Sequence, residues 1–243
     1  MKYPEKVSKH IVKWINEYLI KSKMQGLVVG VSGGIDSALT STLCAETGRN
    51  VICIEMPIHQ DRSQVSRSKN HIEWLKGKYS NVSSVLINLD NTFDSFVDST
   101  PKVKSHENDL SLANTRSRLR MITLYYFSAL NKYIVAGTGN KVEDFGIGFY
   151  TKYGDGGVDI SPIADCTKTQ VWELGKHLGV SKDIIDTPPT DGLWDDGRTD
   201  ESQLGLKYEE VEDAMINPDS PNYEKYIKIR KLNLHKMEPI PVC

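Results

Sequence analysis

The chain has 243 residues, of which 39% are hydrophobic and 26% are charged, and its formal net charge is −2. This composition is typical of a globular protein with a substantial core, and it argues against a nucleic-acid binder, which usually carries a basic excess. No apolar run approaches the roughly 20 residues that span a bilayer, and the first residues lack the apolar core of a signal peptide. Because the four cysteines form no CxxC pair, we expect free thiols and a cytoplasmic protein. From the charge and the lack of a long apolar run, we expect no nucleic-acid partner and no membrane partner.

Predicted helices and strands alternate along the chain. Apolar residues recur at helical spacing near the N-terminus, where Val7, Ile11 and Leu19 would share one face. Strands that alternate with helices pair in parallel through right-handed crossovers, so we expect an α/β fold: an open parallel sheet flanked by helices in three layers, as one domain over residues 1–243. After the first helix, the predicted elements are a strand at 27–31, a helix at 38–47, a strand at 51–56, a helix at 62–78, a strand at 84–89, a helix at 114–130 and a strand at 134–136.

The strand at 27–31 runs directly into Ser32-Gly33-Gly34-Ile35-Asp36-Ser37 and then into a helix. The N–H groups of such a turn and the N-terminus of the next helix converge on one point, which suits a phosphate. The turn has no Lys before its hydroxyl residue, as a GxxxxGK[ST] loop has, and it lacks the GxGxxG spacing of dinucleotide folds. The alternative is a corner in which Asp36 or Ser37 only caps the helix, but two glycines are more than a cap requires.

The position of a ligand site follows from the predicted sheet. Ligands in open parallel sheets bind beyond the carboxyl ends of the strands. The turn after Val31, the residues after Met56 and the loop after Ala136 all follow predicted strands. We therefore expect these three segments to share one site.

Two segments have the composition of long loops. They are residues 91–109 and residues 187–203, and the second contains two prolines, two glycines and five acids. Loops of this length in a compact domain are usually lids or disordered segments, so we expect both to be mobile.

Four segments that follow the glycine turn in the sequence restrict the protein families to which the chain could belong. Asn114–Met121 places three arginines at alternate positions, and Gly137-Thr-Gly-Asn-Lys-Val-Glu143 follows the fourth strand. Phe149–Asp159 ends in Gly-Asp-Gly-Gly-Val-Asp, and Thr167-Lys-Thr begins a helix. Together with the SGGxDS turn, these segments resemble the ammonia-dependent NAD synthetases over nearly the whole chain and in the same order. The resemblance implies an adenine-nucleotide α-hydrolase-like fold with a Rossmann-type sheet.

The resemblance also implies a ligase that forms an amide in two steps, the last reaction of NAD biosynthesis. The nicotinate carboxylate of deamido-NAD attacks the α-phosphorus of ATP, pyrophosphate leaves, and ammonia then displaces AMP to give NAD. The chemistry is sound because a carboxylate is a poor acylating agent until its oxygen becomes part of a good leaving group. Charge builds on the phosphates in the first step, so metal, cations and backbone N–H donors are expected.

By position, the resemblance implies an ATP pocket and a Mg²⁺ site. Asp36 and Glu143 would hold the metal, because carboxylates together with phosphate oxygens and waters suit this hard cation. The chain has one residue more after Val142 than some family members, which makes Asp144 a rival of Glu143 for this role. The residues implied to contact ATP are Gly30, Val31, Ser32, Gly33, Gly34, Ile35, Asp36, Ser37, Thr138, Lys168 and Thr190.

The residues implied to bind deamido-NAD lie further along the chain. Among the three arginines the family pattern selects Arg118, whereas Arg116 and Arg120 are open to the alternative of a solvated basic helix face. The alternative for His235 and Lys236 is exposure to solvent, which is usual for a His-Lys pair near a C-terminus. The set is Arg118, Lys152, Asp159, His235 and Lys236.

Three residues are candidates for catalysis. An ammonium ion must lose a proton before it attacks, and Asp155 or Asp159 would accept that proton. The alternative for Asp155 is that it only stabilises a glycine-rich turn. Lys168 would contact the phosphates of ATP, and its position at a helix start, where the dipole disfavours a cation, favours an anionic partner. We also expect residues 187–203 to act as a lid that brings Thr190 to ATP.

The nitrogen donor is predicted to be free ammonia. Glutamine-dependent relatives carry an additional amidase domain with a nucleophilic Cys, and we expect 243 residues to leave no room for one. An alternative enzyme is an ATP pyrophosphatase that modifies tRNA, which would need a reactive Cys pair or a basic surface. A non-catalytic nucleotide-binding module is a further alternative, but it would not explain the dense set of charged residues.

The resemblance implies a homodimer. Leu119, Ile122, Tyr125, Tyr126 and Phe127 give the predicted helix at 114–130 more apolar surface than one stripe requires. The alternative is a helix buried inside the monomer.

Overall fold

The computed structural model describes residues 1–194 and 197–243, and in this part of the chain four parallel strands form an open sheet in the order β3-β2-β1-β4. Leu27 pairs with Val51 on one side and with Ile134 on the other, which places β1 in the centre. This confirms the predicted α/β class. The strands are β1 (Gly26–Gly30), β2 (Asn50–Glu55), β3 (Val82–Leu86) and β4 (Ile134–Val135).

Helices cover the sheet, and further helices form the C-terminal part of the chain beyond it. Five of them match predicted helices, and three lie wholly or partly in the two segments predicted as loops. They are α1 (Pro4–Ser22), α2 (Ile35–Glu46), α3 (Arg62–Lys78), α4 (Asp90–Ser99), α5 (His106–Asn131), a π-helix (Lys141–Ile147), α6 (Lys168–Leu178), α7 (Lys182–Ile185), α8 (Asp200–Leu204), α9 (Tyr208–Ile216) and α10 (Tyr223–Met237).

The central strand contributes to two separate cores. Leu27 and Val29 pack into a cluster with residues of α1, α2 and α6, whereas Val28 packs into another with residues of α4 and α5. Successive strand residues point to opposite faces, so an unbroken apolar run is buried on both sides. The arrangement has the three layers that the alternating pattern predicts.

A third apolar cluster lies beyond the sheet and holds the π-helix. It joins Val142 and Ile147 to Tyr208 and Val211 of α9 and Tyr226 of α10. Because both ends of the π-helix are anchored in this cluster, the C-terminal helices fix the backbone that carries Glu143.

The prediction of a loop over residues 91–109 is wrong. Helix α4 covers its first half, and α5 begins at His106 with Ser105 accepting a hydrogen bond from the Asn108 N–H. Phe93 is buried in the α4–α5 cluster, with Val97 packed against it. This i, i+4 pair is the helical signal that the polar composition of the segment obscures.

Two further predictions concern the cysteines and membranes. All four cysteines are free, and Cys44, Cys53 and Cys166 are buried. Burial raises the pKa of the Cys44 thiol, so it stays protonated and unreactive. Across the described ranges, no helix has the length and apolar character needed to cross a membrane.

Candidate active site

One pocket opens at the carboxyl ends of the central strands. The three segments expected to share a site all line it: the turn after Val31, the residues after Met56 and the loop after Ala136. All eight residues from Gly30 to Ser37 contribute to its wall, as do Thr138, Lys168 and Thr190. The structure therefore brings together the whole set implied to contact ATP.

The glycine turn has the geometry of an anion site. Gly33 has φ +84°, and a Cβ there would lie 2.6 Å from the Gln64 carbonyl oxygen, so only glycine fits. The Ser32 N–H donates to Ser37 Oγ at 3.1 Å, which closes the turn. Helix α2 begins after Gly34 without a side-chain cap. Its first N–H groups have no partner within the helix, and they lie at the pocket wall.

Asp36 and Glu143 converge on one cation. Lys168 Nζ lies 2.5 Å from Asp36 Oδ2 and 3.0 Å from Glu143 Oε1, and Lys168 is only 1% exposed. Burial alone would lower the pKa of the Lys168 ammonium, but the two carboxylates outweigh it and hold that pKa above its usual value. Asn140 Nδ2 donates to Asp36 Oδ1 at 2.9 Å. Asp36 thus faces the pocket network instead of capping α2.

The anionic partner expected for Lys168 is present within the chain. Its backbone begins α6 after Thr167, which forms a capping box with Gln170. The side chain turns away from the helix axis toward Asp36 and Glu143, so carboxylates offset the unfavourable dipole. Lys168 also remains on the pocket wall, where a phosphate can reach it.

Glu143 and Asp144 lie next to each other on a π-helix. The seven residues Lys141–Ile147 have the wider π turn, which absorbs one residue more than an α-helical turn does. Asn140 caps the segment, since its Oδ1 accepts from the N–H groups of Val142 and Glu143. Both Glu143 and Asp144 then line the pocket.

Glu143 and Asp144 differ in their surroundings. Burial alone would raise the pKa of Glu143, but Lys168 and the Tyr208 hydroxyl hold it below the usual value. Asp144 packs over Gly139, where a Cβ would clash with its carboxyl group. Burial, and then the charges of Glu143, Asp155 and Asp36, raise the pKa of Asp144 to about 8. Glu143 is therefore the ionised member of the pair.

Tyr208 and Asp200 extend the network. Tyr208 is fully buried, and its Oη lies 2.6 Å from Glu143 Oε1 and 3.0 Å from Asp200 Oδ2. Burial, with the nearby Glu143 charge, raises the pKa of Asp200 to about 7. The Tyr208 hydroxyl therefore donates toward both carboxyl groups and links Glu143 to Asp200.

The metal-binding capacity of the site is limited to two carboxylates. No group of three or more His, Cys, Asp or Glu side chains in the described ranges is arranged to hold a metal ion. Asp36 and Glu143 nevertheless point at one position and offer hard oxygen donors. They fit Mg²⁺ only when phosphate oxygens and waters complete its six ligands.

Asp155 and Asp159 have different environments. Asp155 lines the pocket, and its Oδ1 accepts from Ser117 Oγ at 2.6 Å and from the Thr151 N–H at 3.0 Å. It therefore stabilises the turn and faces the cavity as well. Asp159 accepts from Tyr125 Oη at 3.0 Å and from the Val135 N–H at 2.8 Å. Within the part of the chain that is described, Asp159 is not on the pocket wall.

The basic residues implied to bind deamido-NAD form a separate cluster. Arg118 is exposed on α5 and donates to the Lys152 carbonyl oxygen at 3.3 Å, and Lys152 Nζ donates to the His235 carbonyl oxygen at 2.8 Å. Lys236 donates to the carbonyl oxygens of Gly148 and Tyr150. The contacts of Arg118, Lys152 and Lys236 are therefore with backbone carbonyl oxygens, and in the part of the chain that is described none of these basic residues lies on the pocket wall.

The segment 187–203 lies against the pocket, although its residues 195 and 196 are outside the described ranges. Thr190 lines the cavity, and its Oγ1 donates to the Arg198 carbonyl oxygen at 3.0 Å. Gln60 Nε2 donates to the Gly192 carbonyl oxygen at 2.8 Å, and Arg116 donates to that of Leu193 at 3.0 Å. Side chains from two other segments therefore hold this one over the site.

Several residues of this site have no role predicted from the sequence. Asn140 had a signal, because an Asn before a helical segment is a common cap. Arg120 lines the pocket instead of forming a solvated face. The remaining contacts join residues distant in sequence, so no local pattern reveals them. The unassigned residues are Gln60, Arg120, Asn140, Asp200 and Tyr208.

Comparisons with known proteins find relatives over most of the chain. The NAD synthase family model matches residues 7–240. The NH(3)-dependent NAD(+) synthetase of Carboxydothermus hydrogenoformans is 38% identical over 219 residues, which cover 87% of this chain and 85% of that protein.

Solved structures resemble the chain over its length. The NMN synthetase of Francisella tularensis superposes with a TM-score of 0.89 and 31% identity over 99% of this chain and 98% of that one. The NH3-dependent NAD synthetase of Campylobacter jejuni has a TM-score of 0.79 and 24% identity, covers 99% of both chains, and shares the fold. The family predicted from the motifs is confirmed, and the chain belongs to the NAD synthase family.

Proposed function

We propose that this chain catalyses the ATP-dependent amidation of deamido-NAD to NAD, with ammonia as the nitrogen donor and AMP and pyrophosphate as products. The observation that carries the proposal is the convergence of Asp36, Lys168 and Glu143 beside an SGGxDS turn in one pocket. This arrangement provides N–H donors, a cation and two hard carboxylates where a triphosphate is cleaved between its α and β phosphates.

In the first step the turn at Ser32–Ser37 receives the leaving pyrophosphate. Its N–H groups and the start of α2 stabilise the charge that develops on the phosphate oxygens. Lys168 lies at the same wall and offers an ammonium donor to the phosphates once they compete with its carboxylate partners. Thr138 and Thr190 would position the nucleotide from the two other sides of the pocket.

We propose Mg²⁺ as the metal, held by Asp36 and Glu143 together with ATP oxygens. When bound, the ion would neutralise phosphate charge. The two carboxylates already lie within hydrogen-bond distance of one nitrogen, Lys168 Nζ, so they can share one cation.

The acceptor would bind across the pocket. The basic cluster of Arg118, Lys152, His235 and Lys236 would hold its phosphates, and Asp155 faces the cavity from the adjoining turn. A carboxylate that faces the cavity at this point can bind ammonium and accept its proton. Asp159 remains the second candidate, with its oxygens used by Tyr125 and Val135.

The test is an assay of the purified chain with ATP, Mg²⁺, ammonia and deamido-NAD, in which NAD, AMP and pyrophosphate should appear in equal amounts. Release of ADP, or turnover that does not need deamido-NAD, would refute the proposal. Glutamine in place of ammonia should support little turnover, and comparable rates with both donors would exclude ammonia as the specific nitrogen source.

A second candidate acceptor is nicotinate mononucleotide, the acid that the same amidation converts to NMN. The observation that favours it is the similarity to the Francisella tularensis NMN synthetase, with a TM-score of 0.89 against 0.79 for the Campylobacter jejuni NAD synthetase. The two acceptors should be compared by kcat/KM under identical conditions. A preference for the mononucleotide by more than about tenfold would replace deamido-NAD in the proposal.

We also propose a homodimer in which α5 forms the interface. Leu119 and Phe127 pack against the inner cluster, whereas Ile122 and Tyr126 are 58% and 62% exposed on the outer face. Covering such an apolar face is a common reason for association. Light scattering should give twice the mass of the chain, and the mass of one chain would contradict the dimer.

The chain is further proposed to act in the cytoplasm as one synthetase domain over residues 1–243. Its four free thiols, three of which are buried, suit a reducing compartment. A cytosolic fraction that lacks the protein would contradict the location.

A further inference from the structure

Arg120 is a cation on the pocket wall that the proposed chemistry does not yet use. Its Nε donates to the Met56 carbonyl oxygen at 3.1 Å, and its Nη2 donates to Gln60 Oε1 at 2.6 Å. Met56 follows β2, so the guanidinium lies at the carboxyl end of the sheet. One turn later on α5, Leu124 packs within 3.6 Å of the position a Cβ would take on Gly30. Arg120 is therefore fixed above the ends of the two central strands.

The charge of Arg120 has no direct counterpart. Both of its acceptors are neutral, and among residues 1–194 and 197–243 it forms no ion pair. Burial, and then the neighbouring Arg116, lower its pKa to about 10, while Asp155 and Asp191 oppose this at longer range. The group is still cationic at neutral pH. Arg120 is partly buried, and holding its charge against neutral acceptors alone is unfavourable unless an anion joins it.

The other cations of the pocket are accounted for. Lys168 is neutralised by Asp36 and Glu143. Arg67 belongs to the phosphate turn, since its Nε lies 3.4 Å from the Gly33 carbonyl oxygen and its Nη1 bonds Ser63 Oγ at 3.2 Å. Arg120 lies on α5, apart from that turn, so pyrophosphate at the turn does not explain it.

We propose that Arg120 binds a phosphate group of a nucleotide substrate, as a further substrate-binding residue of this site. The inference rests on the proposed function, in which ATP and a nicotinate nucleotide share the pocket. The phosphate has two possible sources: the α-phosphate that stays with AMP, or the phosphate beside the nicotinate ribose. A guanidinium suits either, because its parallel N–H groups match two phosphate oxygens.

Gln60 prepares Arg120 for this role. Its Oε1 accepts from Arg120, and its Nε2 donates to Gln64 Oε1 and to the Gly192 carbonyl oxygen. The guanidinium is thus oriented by the Gln60 amide, whose nitrogen is fixed in turn by two hydrogen bonds. An oriented cation needs little reorganisation when a phosphate arrives.

The test compares nucleotides with their nucleosides, so that the phosphate is the only difference. Binding of AMP, adenosine, nicotinate mononucleotide and nicotinate riboside is measured by calorimetry on the wild type, Arg120→Gln, Arg120→Lys and the control Arg62→Gln. Arg62 is an exposed residue at the start of α3 and lies outside the pocket lining. Loss of a charge-assisted hydrogen bond should lower the affinity for one nucleotide about 10- to 100-fold.

We expect Arg120→Gln to weaken the binding of either AMP or nicotinate mononucleotide and to leave the binding of both nucleosides unchanged. The nucleotide that is affected identifies the source of the phosphate. Arg120→Lys should recover part of the affinity, and it provides the measurement if the Gln variant does not fold. Arg62→Gln should bind like the wild type.

Two results would overturn the inference. Equal losses for nucleotide and nucleoside would assign Arg120 a purely structural role, and unchanged binding of both nucleotides would leave it no ligand. The proposed function is judged separately, because it depends on NAD or NMN formation by the wild type. A wild type that binds AMP through Arg120 but forms no amide would refute the function and keep the phosphate site.

Discussion

Lys168 and Asp36 are 132 residues apart in the sequence, and Lys168 Nζ lies 2.5 Å from Asp36 Oδ2. The contact joins the first turn of α6 to the first turn of α2. The two helices can approach closely because Gly175 has no side chain where Ile35 packs, and a Cβ there would lie 2.7 Å from Ile35 Cδ1. A small residue two turns along α6 from Lys168 thus contributes to the position of a charged group at the pocket.

Replacing Lys168 by Ala should destabilise the protein and abolish adenylation. Removing one partner of a buried ionic network leaves charges without compensation, which costs about 3–5 kcal/mol. Equilibrium denaturation measures this loss. Mg²⁺ should stabilise Lys168→Ala more than the wild type, because Asp36 and Glu143 become free to bind the ion.

The matched control is Lys141→Ala. Lys141 pairs with Asp165 at 2.8 Å, but the Asp165 side chain is 97% exposed, so its loss should change stability little. Equal effects of the two substitutions, or an equal response to Mg²⁺ in Lys168→Ala and the wild type, would contradict the shared-cation site.

Gly33→Ala should be far more damaging than Gly34→Ala. At Gly33 a Cβ would lie 2.6 Å from the Gln64 carbonyl oxygen, and the alanine would have to adopt φ +84°. At Gly34 φ is −92°, and the nearest atom is Ser32 Oγ at 3.4 Å. The strained conformation alone costs about 1–2 kcal/mol. Thermal unfolding of both variants measures the difference, and equal melting temperatures would show that the turn does not need glycine at position 33.

His71 should make stability depend on pH in the acidic range. It is 2% exposed, and burial lowers its pKa from 6.5 to about 4. Between these values the unfolded chain binds a proton that the folded chain does not, so stability is complete above pH 6.5 and is lost as the pH falls toward 4. The full loss is about 3 kcal/mol.

Denaturation of the wild type and His71→Gln at pH 7 and pH 5 tests this. The variant should lose less stability on acidification, since it has no imidazole to protonate. His10→Gln is the control, because His10 is exposed in the folded chain. Identical pH dependence in all three proteins would exclude His71 as the source.

Gln60→Ala should loosen the segment 187–203. Gln60 Nε2 donates to the Gly192 carbonyl oxygen at 2.8 Å, and this bond ties the segment to the start of α3. A lost hydrogen bond of about 1 kcal/mol would increase the open population about fivefold. Limited proteolysis should therefore cut the variant faster within this segment, and ATP with the acceptor should slow the cut.

The control for this experiment is Gln25→Ala, at an exposed position before β1. Equal cleavage rates in both variants would mean that Gln60 does not hold the segment. Cleavage of the wild type that is unaffected by both substrates would contradict its role as a lid.

Much of the site was predictable because it depends on local patterns. The Ser32–Ser37 turn, its apolar strand and the helix that follows are contiguous, so their composition specifies a phosphate loop. The meeting of this turn with the residues after Met56 and Ala136 follows from the parallel sheet, since all three leave its carboxyl edge. The glycine-rich turn with Asp155 is likewise local. These predictions needed only the order of residues and the rules of parallel pairing.

Other features depend on contacts that no local pattern encodes. Arg116, Arg118 and Arg120 alternate in the sequence, but helical geometry and the packing of α5 bury the first, expose the second and place the third in the pocket. Amphipathic spacing alone leaves these outcomes open, because it does not say which face meets the sheet.

The motifs thus sufficed for the family, the fold class and the phosphate turn, which are properties of short contiguous segments. The ionisation of the site required the assembled chain. Lys168 is satisfied by two carboxylates, Tyr208 links Glu143 to Asp200, and Arg120 meets only neutral acceptors. Charges in a pocket are set by distance and burial, and both arise only when segments far apart in sequence pack together.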